Sequence, residues 1–166
     1  MTKVLFRFFC LLFFSFSISG CVKEDRDPCL QPKTAVLVAG ASRHANGTNN
    51  LIDTALPNPL LIPLSNGIQQ YAFGGIKRVK RLTFSLSNLA DSSRWILRPD
   101  SAFANQDTLT FYYQRQLYFL SNACGYTYYY FIDSVRTTRN AIDSVRLNRS
   151  DITNDANVEN LKIIFR

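Results

Sequence analysis

The chain has 166 residues, 46% of them apolar, 19% charged and 13% aromatic, with a formal charge of +7. That length fits one domain, and so apolar a composition excludes disorder over most of the chain, because disorder needs low hydrophobicity. A single His (His44) and a single Met exclude multi-His metal centres and Met-rich grooves.

The first twenty residues read as an address. Lys3 and Arg7 form a positive n-region, and an apolar run, Phe8 to Phe14, follows. The run is too short for a bilayer span, which takes about 20 residues, and suits a secretory signal peptide. Ile18-Ser19-Gly20-Cys21 fits the lipobox of bacterial lipoproteins: an aliphatic residue, two small residues, then Cys. Small side chains admit the peptidase, and the Cys21 thiol becomes the thioether to diacylglycerol. Cleavage leaves Cys21 as the first of 146 residues, and losing Lys3 and Arg7 lowers the charge from +7 to +5. Two or more acyl chains hold a protein on a membrane firmly, where one does so only marginally. The expected divisions are a signal peptide over 1–20, a lipidated tether over 21–33 and a folded domain over 34–166.

Lys23-Glu24-Asp25, close behind Cys21, resembles the surface-export signal of Bacteroidota lipoproteins. It favours the cell surface over the periplasmic face of an outer membrane. Of the four cysteines, Cys10 leaves with the signal and Cys21 is acylated. Cys29 and Cys124 remain, an even pair in an oxidising compartment, and a disulfide is expected. On the chain-entropy model a loop of that length contributes ~4–5 kcal/mol at most. The alternative is two free thiols, one of them buried.

All six prolines fall between residues 28 and 99, and the last 67 residues hold one glycine, Gly125. Proline cannot donate to a sheet ladder, so central strands are expected in the second half and edge strands in the first. Thr34–Ala41 is a β-rich apolar run. Asn49–Ser65 reads as a surface loop or short edge strands, with turn dipeptides Asn46-Gly47 and Asn66-Gly67 around it. Leu82, Phe84 and Leu86 alternate with polar residues as in a half-buried strand. Arg94–Leu97 carries Trp95. Thr108–Tyr113 and Gln116–Ser121 are two runs readable as one long strand with a bulge. Tyr126–Val135, Ala141–Leu147 and Leu161–Phe165 complete the set. Ile-Asp-Ser-Val-Arg occurs at 132–136 and again at 142–146, and Thr137–Asn140 between them reads as a hairpin turn. No window shows a helical stripe. The expected fold is therefore all-β, a single β-sandwich domain of about seven to nine strands. Trp95 lies 66 positions after Cys29, too far for an immunoglobulin pattern.

Catalysis finds little support. Hydrolytic triads need a base such as His, and His44 sits in a polar stretch. Most Asp residues begin Asp-Ser or Asp-Thr steps, where they cap turns. An enzyme would need a cleft gathering acids such as Asp91 and Asp100. No phosphate loop or zinc-spaced Cys pair is present. No catalytic, cofactor-binding or metal-binding residue is assigned. Two clusters remain. Lys77-Arg78-Val79-Lys80-Arg81 reads as charge blunting a sheet edge or as a site for anionic glycan; nucleic acid is not an expected partner. Tyr126, Tyr128 and Tyr130 alternate with Tyr129 and Phe131, one set in the core, the other an exposed patch or covered by loops. Asp-(Ser/Thr)-apolar steps at Thr54, Ser101, Thr108, Ser134 and Ser144 resemble a Bacteroidota O-glycosylation sequon.

Cys21…Cys29, then Pro32-Lys33, Asp107–Phe111, Asn122-Ala123-Cys124-Gly125-Tyr126, Asn157-Val158-Glu159-Asn160 and the terminal Lys162–Phe165 together resemble a family of small Bacteroidota lipoproteins, domain-of-unknown-function family 6452. The resemblance is strongest from 107 to 166, and Asn49–Asp100 departs from the family pattern. It implies an envelope lipoprotein with Cys29 paired to Cys124, and it carries no activity. The expected role is a non-catalytic binding or assembly partner of an outer-membrane protein, held to the membrane by Cys21. The rival is a surface glycan-binding or adhesion module with a groove lined by Tyr or Trp95.

Overall fold

Ten strands make two facing sheets in the computed structural model, which describes residues 28–46, 48–64, 75 and 77–166. The signal segment, Cys21, the export motif and the Asn66-Gly67 turn lie outside the described residues. The strands are β1 (Val36–His44), β2 (Leu51–Asp53), β3 (Leu60–Pro63), β4 (Arg81–Ser85), β5 (Ser92–Arg98), β6 (Asp107–Ser121), β7 (Gly125–Thr137), β8 (Ile142–Leu147), β9 (Asp151–Ile152) and β10 (Leu161–Phe165). In the first sheet β1 pairs with β4 and then β2 along one edge and with β10 on the other, and β8 follows β10. The second sheet runs β3-β5-β6-β7-β9. Among the described residues there is no helix. The all-β sandwich expected from the alternation is the observed fold. Of the two readings of Asn49–Ser65, short edge strands are observed, as β2 and β3, and the strand beyond those expected is β9, of two residues.

β1 and β10 pair in parallel, from Ala39↔Leu161 to Arg43↔Phe165; the other strand pairs are antiparallel. The core lies between the sheets. Phe84 of the first packs on Trp95 and Phe111 of the second, with ring centroids 5.6 and 5.2 Å apart. Leu37, Leu61, Leu82, Leu97, Leu109, Ile132, Ile142 and Ile152 are fully or almost fully buried around them. The prolines hold to the edges as expected: Pro63 ends β3, an edge strand. Each of those buried aliphatic side chains removes about 1.5–3 kcal/mol worth of apolar surface from water.

Residues 137–140 do not turn a hairpin. β7 belongs to the second sheet and β8 to the first, so the repeated pentapeptides lie in opposite sheets, each burying its Ile. Asp107 explains the crossover. Its carboxylate, 1% exposed, accepts from the Thr138 hydroxyl and the Asn140 N–H on Oδ1 (both 2.7 Å) and from the N–H groups of Ala141 and Ile142 on Oδ2 (both 2.8 Å). Those donors are satisfied by a side chain and not by a hairpin ladder, and the chain passes to the opposite sheet. Asn160 performs a similar task, accepting from Val38 N–H and donating to the Asp151 carbonyl, one in each sheet.

Candidate functional site: the aromatic hairpin

β6 and β7 outrun their neighbours. Pairing of β5 to β6 ends at Ser92↔Tyr112, and β9 meets β7 only at Tyr130 and Phe131. The two strands go on pairing with each other from Tyr113↔Ile132 to Ser121↔Gly125. Past the β9 contact, the six residues Gln116–Ser121 of β6, about 20 Å of strand, extend beyond the other strands of their sheet. The expected bulge is present as a register shift between Tyr112 and Tyr113. At the tip, Ser121 Oγ accepts from Cys124 N–H at 3.1 Å, and Gly125 takes φ +73°, which a residue lacking Cβ adopts without strain.

Alternation gives this ribbon two faces. The face continuing the core carries Leu117 and Phe119 opposite Tyr128 and Tyr126. The opposite face carries Tyr118 stacked on Tyr129, centroids 4.5 Å apart, with Phe131 beyond. Tyr126 is 65% exposed and Leu117 58%, and Phe119 and Phe131 are about half exposed. Only Tyr130 and Ile132 of the Tyr126–Ile132 stretch are buried. Of the two sets, therefore, neither is wholly core. The even-numbered one leaves the core at Tyr128, where the facing sheet ends. Apart from Arg115, residues 113–132 contain no charged side chain.

The chain entering the domain is welded to this tip. Cys29 and Cys124 form a disulfide, with Cα atoms 4.8 Å apart. Residues 28–35 then run along β7: the Thr127 hydroxyl donates to the Lys33 carbonyl, and Asn154, which accepts from Tyr129 OH at 2.9 Å, donates to the Pro32 carbonyl. Between this segment, the end of β4 and the hairpin lies a groove of about 340 Å³, lined among others by Lys33, Asn88, Tyr126, Tyr128 and Tyr130.

The hairpin leaves the core through a tyrosine pair. Tyr113 and Tyr130 pack edge to face at 5.2 Å. Tyr113 OH lies 2.7 Å from Ser93 Oγ and donates to the Ser87 carbonyl, while Tyr130 OH donates to the Leu86 carbonyl. Burial, reinforced by the neighbouring Tyr113, pushes the Tyr130 phenol up to about 12, and burial raises Tyr113 as well. Both are neutral donors at physiological pH. Arg115 closes the margin, pairing with Asp91 at 2.7 Å and donating to the Asn88 carbonyl.

Residues 67–165 match a family model described as a family of unknown function, DUF6452. The chain belongs to DUF6452. The family match spans β4 to β10 and hence the whole hairpin with Cys124. It begins well upstream of residue 107, where the resemblance is strongest, and excludes Cys29. Neither the curated proteins nor the solved structures contain a match to the chain. In this DUF6452 member the Ala-Cys-Gly-Tyr step is the hairpin tip itself, and Asn160 of the Asn-Val-Glu-Asn step joins the sheets.

The other candidates of this DUF6452 chain stay apart from the hairpin or serve the fold. Trp95 is buried and donates to the Ser85 carbonyl, so it lines no groove. Asp91 and Asp100 stand at opposite ends of β5, the first on Arg115 and the second capping Ala102 N–H. His44 ends β1 in a shallow polar depression with Asn46 and Asn49. Among the described residues no three His, Cys, Asp or Glu side chains could hold a metal ion together. In the basic cluster, Val79 bridges to Leu56, Arg78 takes φ +62°, and Arg81 donates to the carbonyls of Ala156 and Asn157. These residues lead into β4, on the same side of β1 as β2. Of the sequon hydroxyls, Ser101 and Ser134 are exposed, and Thr54 is half-buried. Sequence reasoning missed Leu117 and Phe119. Their signal is available once the turn is placed at 121–125, because the register then sets them opposite Tyr128 and Tyr126.

Proposed function

We propose that the chain is a lipid-anchored, non-catalytic binding or assembly module of the outer membrane, tethered through Cys21 and meeting an envelope protein through the β6–β7 hairpin. One observation carries the reading: the largest cluster of exposed apolar side chains among the described residues stands on that ribbon, at the end where the tether enters. Exposed apolar patches of this kind mark interaction surfaces, and Tyr and Phe suit them because each offers large contact area at low entropic cost. The acidic group at the base of the hairpin serves structure: Asp91 holds Arg115. The lipobox and the Lys23-Glu24-Asp25 step support anchoring and display on the cell surface. Photo-crosslinking from position 118 in intact cells tests the reading. The expected result is one discrete adduct with an integral outer-membrane protein, lost on Phe131→Ser. A smear of abundant envelope proteins, unchanged by Phe131→Ser, would overturn it.

A second reading has its own observation. The groove beside Tyr126 and Tyr128 combines aromatic faces with Asn88, a pairing that suits a sugar. A glycan ligand would be released by Tyr126→Ala, whereas an envelope-protein adduct formed from position 118 would persist.

A further inference from the structure

We infer that the tip of the β6–β7 hairpin lies in the interfacial layer of the bilayer, so that the domain docks on the lipid surface through Leu117, Phe119, Tyr126 and Tyr128 as well as hanging from it. The inference deepens the proposed function and rests on its lipidated Cys21.

The geometry follows from chain length. Eight residue steps separate Cys21 from Cys29, and a fully extended chain covers at most ~3.6 Å per residue. Cys29 therefore stands no more than about 29 Å from the acylated residue. The disulfide holds the hairpin tip to Cys29, with the two Cα atoms 4.8 Å apart. The Thr127 contact to Lys33 extends that attachment along β7. The tip is thus the part of the described domain held closest to the anchor. The turn between β5 and β6, with exposed Phe103, is at the far end of β6, some 50 Å of strand away.

The composition fits the lipid interface. Tyr, with an apolar ring and a wet hydroxyl, concentrates at headgroup depth, and Phe and Leu beside it add purely apolar surface. The tip offers Phe119 against Tyr126 and Leu117 against Tyr128, while residues 113–132 carry no carboxylate to repel an anionic surface. A ribbon apolar on both faces is ill suited to water on either side. At the interface both faces meet apolar or headgroup surroundings, and the paired backbone of the hairpin satisfies its own hydrogen bonds. The acyl chains supply attachment; the hairpin would fix orientation.

The test uses the full acylated chain purified from its own membranes and reconstituted in phosphatidylethanolamine–phosphatidylglycerol vesicles doped with brominated phosphatidylcholine, which quenches indole on contact. Trp95 is the sole native Trp and is buried, so it supplies a constant background. Tyr126→Trp and Phe119→Trp report on the tip, and Phe103→Trp reports on the far end. We expect the added tip emission to fall by half or more and shift to the blue in both tip variants, with Phe103→Trp unquenched. Two tip positions guard against one variant misfolding. If vesicles float with acylated chain but the tip is quenched no more than Phe103→Trp, the docking inference is overturned and the anchoring reading stands. If the mass of the mature chain shows no acyl group on Cys21, the anchoring reading fails and the inference falls with it.

Discussion

A single carboxylate decides where the chain changes sheets. Asp107 is buried with four hydrogen-bond donors on its two oxygens. Burial by itself would raise its pKa, but the donors from Asn140, Thr138, Ile142 and Ala141 outweigh it and hold the carboxyl below its usual value. The stabilisation is therefore fully present above the unfolded value of ~3.9 and is lost as pH falls through the lower, folded pKa. Asp107→Asn keeps the shape but turns an NH₂ toward N–H donors, leaving buried groups unpaired. We expect a loss of about 2–3 kcal/mol at neutral pH. Denaturant titrations between pH 2 and 7 check this: the gap between wild type and variant should be constant above about pH 5 and close at the acid end. A gap unchanged at pH 2 would mean that the carboxyl holds the turn without its charge, through acceptor capacity that the amide lacks. The sequence shows Asp107 only as one of several Asp-Ser or Asp-Thr steps. That this one is buried follows from where the 138–142 segment lands, which is a tertiary matter.

Elements were legible in proportion to their length. Strands with several alternating residues, such as Leu82–Leu86 and Leu161–Phe165, declare their faces, because the side-chain period of two survives over four or more positions. β9 has two residues and β3 four, and their existence depends on partners elsewhere. The Ile132–Arg136 and Ile142–Arg146 repeats show two similar strands but not that they lie in opposite sheets. The aromatic cluster was legible as alternating; its exposure was not, because that depends on where the facing sheet stops. The hairpin that carries it is set by its turn. Gly125 has φ +73°, and a Cβ there meets no neighbouring atom, so the cost of a side chain is conformational and not a clash. Gly125→Ala should lower stability by about 1 kcal/mol. The loss should concentrate in the ribbon. Hydrogen exchange should accelerate most at the amides of 116–129, and in β1 and β10 by no more than the fall in global stability allows, about fivefold. Uniform acceleration through both sheets would show that the ribbon opens only with the whole domain.

At the scale of the molecule, the Cys29–Cys124 bond closes 95 positions of chain around β1 to β6. It performs two tasks that one substitution can separate. The first is general: by the chain-entropy model a loop this long restricts the unfolded state and contributes up to ~4–5 kcal/mol. The second is local, because the bond and the Thr127 and Asn154 hydrogen bonds together lay residues 28–35 along β7. The core does not depend on that segment before Ala35, and the buried aromatic and aliphatic side chains come from strands that pair without it. Cys124→Ser should therefore leave a folded sandwich with a lower melting temperature, by about 10 °C. It should also free residues 28–33 from the hairpin, and a protease with a site at Lys33 should then cut the native variant and not the native parent. Reductant should convert the parent to the same behaviour. An unchanged melting temperature with Lys33 still protected would mean that the hydrogen bonds to Thr127 and Asn154 hold the entering chain without the bond. Cleavage at Lys33 with an unchanged melting temperature would assign the disulfide to orientation of the hairpin alone. A lowered melting temperature together with cleavage would show that the same bond stabilises the sandwich and fixes its aromatic end beside the tether.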